Sequence, residues 1–314
     1  MSTLSALSTY EYRKSIMSDQ FIKTVTKNKY FRAYALNGTQ FVREAAATHE
    51  TSRLAAVVLG RGLLATTLTA QSVLKGEERL AIQINGRGPI GNVVAEADAK
   101  GSVRGYVTNP QLEPIFDADG KLDVAQAVGT NGFLQITKFA PYANPYIGQS
   151  QLVSGEIGDD FTYYLAQSEQ IPSVVGVSVY MNQDDTVEVA GGFLVQALPD
   201  ATDEAIDDLE AALKNMKPLA DMLVAGYTPL EILEEIFGQG EVEILQVAGV
   251  GLAAEPTKAA YRDMLTTLPA EEVQAMIDED GGAEIVGKFS GKRYFFTADE
   301  LREIVIEIND KNHD

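Results

Sequence analysis

Short stretches in which apolar and polar residues alternate fill the first two thirds of the chain. This period of two is typical of strands that bury one face. Turn pairs such as Asn85-Gly86 and Lys100-Gly101 separate three of the stretches, which favours an antiparallel meander. The predicted strands cover residues 30–36, 79–84, 91–97, 102–107, 133–137, 151–157, 174–180 and 187–195.

Residues 54–74 form a long apolar run whose small side chains suit a helix packed closely inside a protein. Arg61 and the polar residues Thr66, Thr67, Thr69 and Gln71 interrupt the run. It is therefore too polar to span a lipid bilayer. We predict a core helix here and no membrane partner.

Helical periodicity replaces the alternation after Pro199. Thr202 is placed to cap a helix over residues 203–216. Thr228 and Pro229 are placed to begin a second helix, which ends at Gly238. Further helices are predicted from Lys258 and Ala270. A hairpin over residues 284–296 then leads to a last helix that begins with a capping box at Thr297 and Glu300. Sheet followed by helices predicts an α+β fold.

The chain divides into four parts on these patterns. Residues 1–16 are a Ser/Thr-rich extension that we expect to be flexible, with an organelle-targeting peptide as the alternative. Residues 17–198 are predicted to form an N-terminal α+β domain with packed helices. Residues 199–238 are predicted to form a helical linker, and residues 239–314 a small C-terminal α+β module.

Charge is spread unevenly over the 314 residues. Residues 196–314 hold 9 Lys and Arg against 26 Asp and Glu, whereas residues 1–195 hold 16 against 19. An acidic surface without a basic stripe repels phosphate backbones, so we expect no nucleic-acid partner. The chain contains no cysteine, which excludes disulfides and thiolate chemistry.

Motifs for cofactors or catalysis are weak. Residues 86–91 match the G-x-G-x-x-G dinucleotide pattern, but a predicted strand follows them where a phosphate-binding helix should begin. We interpret them as a hairpin loop and expect no cofactor. The two histidines, His49 and His313, have no nucleophile motif beside them, and we assign His49 to capping or packing.

Carboxylates remain the only candidates for acid/base chemistry. Glu156, Asp159 and Asp160 lie together in the sequence SGEIGDD. Such a cluster can supply a general acid and base or a cation site. We prefer the simpler interpretation, in which Asp159 or Asp160 caps a helix that runs to Gln167.

Longer stretches of the sequence resemble a known family. They are RAYALN at residues 32–37, LKGEERLAIQINGRGPIGNVVAEAD at 74–98, GYVTNP at 105–110 and LVSGEIGDDFTYYLAQSEQIPSVVGV at 152–177. The chain resembles the bacterial 33 kDa heat-shock chaperonins over roughly residues 17–306. The resemblance implies a cytoplasmic, ATP-independent holdase that binds unfolded client proteins and is not an enzyme. It also makes a homodimer possible, through exchange of the linker region.

Classical members of that family hold one zinc ion with four cysteines until oxidation releases it. The corresponding positions here, aligned on TKAAYRDML and AEIVGKFSGKRYFF, are Ala254, Pro256, Gly287 and Ser290. None of them supplies sulfur, so we predict that this chain binds no zinc at these positions and lacks the redox switch. The hairpin would instead be held by packing of Ile285, Phe289 and Phe295.

The leading hypothesis is a holdase whose client surface is the apolar side of the linker, together with the adjoining sheet. A single-partner binding or scaffold protein on the same fold is the alternative, and an acid/base enzyme using Glu156 or Asp160 is less favoured. The expected client-binding residues are Ile206, Leu209, Leu213, Leu219, Leu223, Leu230, Leu233, Ile236 and Phe237.

Overall fold

The computed structural model describes residues 19–311. The predicted extension 1–16 and His313 lie outside the described residues. The chain forms two compact units, one ending at Ala253 and one starting at Ala254. The structure thus places the boundary later than residue 239, because residues 242–252 pair with strands of the first unit.

The first unit contains eleven strands among the described residues. Ten are of five residues or more, and the last is a short strand that follows the tenth after one residue. They are β1 (Gln20–Thr26), β2 (Phe31–Asn37), β3 (Arg79–Asn85), β4 (Val93–Asp98), β5 (Ser102–Val107), β6 (Phe133–Phe139), β7 (Tyr146–Gln151), β8 (Ser173–Met181), β9 (Val187–Ala197), β10 (Val242–Gly249) and β11 (Gly251–Leu252).

Seven helices of the first unit connect or cover these strands in the described part of the chain. They are α1 (Thr39–Thr48), α2 (Arg53–Val73), α3 (Val124–Val128), α4 (Gly158–Gln167), α5 (Asp203–Asn215), α6 (Leu219–Val224) and α7 (Pro229–Phe237). The α+β class predicted from the sequence is confirmed.

The strands form two sheets. The five-stranded sheet has the order β10-β1-β2-β9-β8 and is antiparallel throughout. The six-stranded sheet has the order β11-β5-β4-β3-β6-β7, with only β11 parallel to its neighbour. The predicted meander is confirmed in β3, β4 and β5. Residues 86–91 form the loop between antiparallel β3 and β4, as expected for a hairpin and not for a dinucleotide site.

The strand predicted over residues 151–157 is wrong. The strand in this region is β7, which ends at Gln151, and the residues after it turn towards α4. Strands β1 and β10 were not predicted. They are neighbours in the five-stranded sheet, and a bulge interrupts their pairing between Lys23 and Thr24.

Helix α2 is the centre of the core. It packs against β4 and β5 of one sheet and β8 and β9 of the other, and 16 of its 21 residues are buried. Its buried threonines satisfy their hydroxyls within the helix: Thr66 donates to Gly62 O at 2.6 Å and Thr67 to Leu63 O at 2.8 Å. The predicted core helix is confirmed.

Helix α2 is also the one described helix that is long and apolar enough to cross a membrane by length and composition. However, 89% of its most apolar window is buried inside the protein. Such burial is what a core helix requires, since its side chains already have apolar neighbours.

The opposite face of the five-stranded sheet is covered by α5, α6 and α7, which we call the helical layer. Side chains alternate across β2: Tyr34 and Leu36 face α2, whereas Ala33 and Ala35 face the helical layer. The segment predicted as a linker is therefore a packed layer of the first unit.

The second unit is small and has its own core. It consists of α8 (Lys258–Leu265), α9 (Ala270–Asp280), β12 (Gly282–Val286), β13 (Arg293–Thr297) and α10 (Ala298–Lys311). Strands β12 and β13 form the predicted hairpin. The capping box of α10 is confirmed, since Thr297 N–H donates to Glu300 Oε2 at 2.9 Å and Glu300 N–H to Thr297 Oγ1 at 3.3 Å.

Candidate functional site

The predicted client-binding residues all lie on the helical layer and point towards the five-stranded sheet. Leu233, Ile236 and Leu223 are buried, at 0%, 5% and 6% exposure. The other six are partly buried against the same cluster. This docking cluster consists of Ile22, Phe31, Ala33, Ala35, Phe193, Val195, Met222, Leu223, Ile232, Leu233 and Ile236.

Helix α7 is the best-anchored part of the helical layer. Thr228 Oγ1 accepts from Glu231 N–H at 3.2 Å, and Glu231 Oε2 accepts from Thr228 N–H at 2.8 Å. This capping box, with Pro229 at the first turn, starts the helix where the sequence predicts it. Buried Ile232, Leu233 and Ile236 then fall on one face, because positions three and four apart are neighbours on a helix.

Helix α5 is held much less firmly. Thr202 caps it as predicted, accepting from Ala205 N–H at 3.2 Å, but no residue of the helix is buried. Ile206, Leu209 and Leu213 contact the docking cluster from its margin. The outer side of α5 is acidic, and residues 199–238 as a whole contain ten Asp and Glu against two Lys.

The docking cluster continues onto an exposed strip that the sequence analysis missed. Val247 pairs with Ile22 and Ile244 with Thr24, so both lie on the face that carries the helical layer. They are 42% and 46% exposed, and Leu245 at the bulge is 51% exposed. An apolar edge strand open to solvent is unusual in a protein that avoids association.

The helical layer and the sheet therefore make a covered apolar surface with an open margin. Separation of α5 to α7 would expose Phe31, Phe193 and Val195 on the sheet, and the inner faces of the helices as well. The core around α2 lies on the other side of the sheet and keeps its own contacts. This arrangement can present a large apolar area without unfolding the domain.

The four positions that the sequence resemblance aligns with zinc-binding cysteines lie in the second unit. No side-chain atom that could bind a metal ion is present at Ala254, Pro256 or Gly287. At the fourth position, Ser290 Oγ accepts a hydrogen bond from Lys292 N–H at 3.2 Å. A zinc site needs thiolate, imidazole or carboxylate ligands, so this set does not fit the metal. Among residues 19–311, no group of three His, Asp or Glu side chains is placed to hold a metal ion.

The hairpin is held only in part by the residues that were expected. Phe295 is 62% exposed, which contradicts its predicted packing role, and Ile285 is only partly buried. Tyr294 and Phe296 face the core of the second unit instead. The register of β13 decides this, because residues 294 and 296 share one face and residue 295 takes the other.

The acidic candidates have structural partners. Asp160 is fully buried, and its Oδ1 accepts from Val153 N–H at 2.7 Å and Ser154 N–H at 3.2 Å. Burial raises the pKa of Asp160 above its ordinary value, although these hydrogen bonds lower it. Glu156 forms an ion pair with Arg61 of α2. A solvent-borne substrate has no access to Asp160.

The predicted cap of α4 is also wrong. Asp159 and Asp160 lie in the first turn of the helix, and the capping position is Ile157, which makes no side-chain bond. Instead Asp160 ties the loop before α4 to the helix. His49 ends α1, and its Nε2 lies 3.0 Å from Gly105 O, which agrees with the predicted capping or packing role.

Comparisons with known proteins agree on one family. The family model described as "Hsp33 protein" matches residues 19–297. A 33 kDa chaperonin of Lactiplantibacillus plantarum is 47% identical over 289 residues, which cover 92% of this chain and 98% of that protein. A 33 kDa chaperonin of Levilactobacillus brevis is 44% identical over 94% of this chain and 100% of its own length.

A solved structure supports the same relationship. The crystal structure of the 33 kDa chaperonin (heat shock protein 33 homolog) from Thermotoga maritima matches with a TM-score of 0.82 and 34% identity. The match covers 93% of this chain and 99% of that chain.

Proposed function

We propose, from the premise that this chain belongs to the Hsp33 family of chaperones, that it is an ATP-independent holdase without the family's redox switch. Its partners would be unfolded cytoplasmic proteins that are prone to aggregate. The observation that carries the proposal is the docking cluster, a sheet face whose apolar cover carries many like charges.

The docking cluster has the chemistry that a holdase needs. Aggregating chains expose apolar side chains, and an apolar sheet face binds them without a defined sequence. The acidic outer side of the helical layer would surround a bound client with charge, which keeps the complex dispersed. Neither function requires a nucleotide or a metal.

We propose that the surface opens stepwise, beginning with α5. This helix has no buried residue, whereas α7 has four, so detaching α5 costs the least apolar burial. Repulsion among the acids of residues 199–238 works in the same direction. Heat would therefore expose the surface by loosening the layer, with no thiol chemistry.

The direct test is light scattering of a client during thermal aggregation, without ATP, in reducing and in oxidising buffer. We expect suppression near equimolar ratio that is the same in both buffers, because the chain has no cysteine to oxidise. Suppression only after oxidant would contradict the missing switch. No suppression at any temperature, with selective capture of one protein, would favour the scaffold alternative.

A labelling experiment tests the proposed opening separately. A single cysteine is a unique probe here, because the chain has none of its own. Ala205→Cys places it on the inner side of α5, where Ala205 is partly buried against the docking cluster. Ala211→Cys places it on the exposed side of the same helix and serves as the control.

We expect the maleimide reaction of the Ala205→Cys variant to accelerate steeply over the temperatures at which client aggregation is suppressed. The Ala211→Cys variant should react rapidly throughout. If residue 205 stays protected while the protein holds clients, the client surface is not the docking cluster.

A further inference from the structure

Two tyrosines connect the segments of the second unit that carry the four zinc-equivalent positions. Tyr294 is on β13 of the hairpin, and Tyr261 is on α8, one turn after the segment that contains Pro256. Their rings lie 4.8 Å apart between centroids and are tilted by 42°. Aromatic pairs at this separation attract each other beyond their simple burial.

Tyr294 joins the hairpin to the first pair of positions. Its ring is 8% exposed, and its hydroxyl donates to Pro256 O at 2.7 Å. This distance is typical of an O–H···O hydrogen bond. This hydrogen bond joins Pro256, a zinc-equivalent position, to β13, the strand that follows Gly287 and Ser290.

The hydroxyl group of Tyr261 lies beside Gly287, the first residue of the second zinc-equivalent pair. An ideal Cβ built on Gly287 would lie 2.8 Å from the Tyr261 hydroxyl oxygen and 2.8 Å from Ser290 Oγ. Real Cβ atoms essentially never approach other heavy atoms this closely. Residue 287 therefore has no room for a side chain while Tyr261 keeps its position.

The turn beyond Gly287 is held by backbone hydrogen bonds. Gly287 N–H donates to Lys292 O at 2.9 Å, and Gly291 N–H donates to Gly287 O at 2.7 Å. The turn cannot easily retreat to make space for a larger residue. A side chain at position 287 consequently requires the Tyr261 phenol and the Ser290 hydroxyl to move.

We propose that Tyr261 occupies the volume a metal site would need and, with Tyr294, clamps the same two segments together without metal. The clamp makes the second unit fold independently of zinc and of redox conditions. What the clamp means for regulation rests on the proposed holdase function. If the protein is a holdase, a second unit that folds without metal leaves heat as the trigger. Zinc affinity and unit stability are measured without any client, so the two proposals can fail separately.

The first test restores the missing sulfur in the full-length chain. The variant Ala254→Cys, Pro256→Cys, Gly287→Cys, Ser290→Cys is prepared with Tyr261 intact and, in parallel, with Tyr261→Ala. Zinc ions are then titrated against a chromophoric chelator under reducing conditions. The control carries Tyr142→Ala in the four-cysteine background, since Tyr142 is fully exposed in the first unit.

We expect the four-cysteine variant to bind zinc about tenfold or more weakly with Tyr261 than with Tyr261→Ala, comparable to the loss when a group that orients a metal ligand is removed. The Tyr142→Ala control should bind like the variant with Tyr261 intact. Equal zinc affinity with and without Tyr261 would overturn the proposal, since the phenol would then not occupy the metal's volume.

A second test uses single substitutions in the natural chain, in case the four-cysteine variant does not fold. Hydrogen exchange is followed at the hairpin amides of Gly287 and Gly291 in the natural chain, in Tyr261→Ala and in Tyr142→Ala. We expect Tyr261→Ala to speed exchange there by about tenfold or more, as for loss of local stabilising contacts. Tyr142→Ala should leave exchange unchanged.

The same measurement is repeated with excess chelator and with added zinc. Unchanged exchange at Gly287 and Gly291 in both supports a clamp that works without metal. Faster exchange with chelator, or no effect of Tyr261→Ala, would overturn it.

Discussion

The two faces of the five-stranded sheet are covered in opposite ways. On one face α2 lies between two sheets, 16 of its 21 residues are buried, and its one charged side chain beyond the first turn, Arg61, is paired with Glu156. On the other face the helical layer touches only this sheet, and α5 has no buried residue at all. Residues 199–238, which contain the layer, also hold ten Asp and Glu against two Lys.

The difference separates contacts that join both sheets from contacts that are confined to one face of one sheet. Removing α2 would open both sheets, so its contacts are part of the global free energy of unfolding. Removing the helical layer exposes one apolar face and leaves the α2 side intact. The proposed holdase would use this asymmetry to expose an apolar surface while the core around α2 stays folded.

The largest expected effect comes from truncating matched leucines on the two faces. Leu64 of α2 is 0% exposed, whereas Leu209 of α5 is only partly buried. Leu64→Ala should lower the free energy of unfolding by about 2–5 kcal/mol, since it leaves a cavity in a closely packed core. Leu209→Ala should cost less than about 1 kcal/mol in the same urea titration. Equal losses would show that the layer is as integral to the fold as α2.

The next effect concerns the anchor of the layer itself. Leu233 on α7 is 0% exposed within the docking cluster, so Leu233→Ala should cost about 2 kcal/mol or more. We expect this cost mainly in the free energy that holds the helical layer on the sheet, and less in the stability of the core around α2. Client aggregation should then be suppressed at lower temperature than with the natural chain. A variant that unfolds globally without holding clients earlier would contradict this separation.

Much of the fold follows from local sequence signals. The caps at Thr202, Thr228 and Thr297 lie where predicted, because a hydroxyl three residues before a free N–H is a purely local arrangement. Helix α2 was identified from its small apolar residues. These features need no knowledge of what packs against them.

The missed strands show where local signals fail. In β1 both faces are buried, and the polar residues Gln20, Thr24 and Thr26 are buried with the rest, so the alternation disappears. In β10 most residues are exposed on either face, which hides the alternation for the opposite reason. Strands β1 and β10 are defined by their pairing with each other, which joins residues far apart in the sequence.

The client-binding role of the predicted residues stays a prediction, and the sequence did not predict how these residues pack. The apolar residues of the linker were identified from helical spacing, yet nothing local shows that they are docked on Phe31 and Phe193. Likewise, three consecutive aromatic residues at 294–296 do not reveal which ones face inward. That choice depends on the pairing of β12 with β13, which is a tertiary property.

A smaller effect is expected from the caps on the two faces. Ser52 caps α2 and Thr228 caps α7, each accepting from a backbone N–H at the helix start. Thr228→Ala should cost about 1 kcal/mol, and the loss should appear as faster hydrogen exchange within residues 199–238. Ser52→Ala should cost a similar amount, but in global unfolding. Identical exchange profiles for the two variants would mean that the layer and core open together.

The smallest effect is expected from pH, through the buried acids on the α2 side of the sheet. Burial raises the pKa of Asp160 and of Asp19, the latter despite hydrogen bonds from Gln40 and Phe41 N–H. A raised folded-state pKa contributes stability that is present below the ordinary Asp value and is lost as pH rises through the folded value. Lowering the pH from neutral should therefore increase the free energy of unfolding as these groups take up protons.

Asp160→Asn keeps an acceptor for Val153 and Ser154 N–H but cannot take up the proton. Its free energy of unfolding should rise less than that of the natural chain between pH 7 and about pH 5, above the ordinary carboxyl range. Urea titrations of both proteins at each pH give the difference, in which the contributions of other carboxylates cancel. Parallel curves would mean that Asp160 is ionised with no penalty from burial, and that the α2 side of the sheet is open to water around α4.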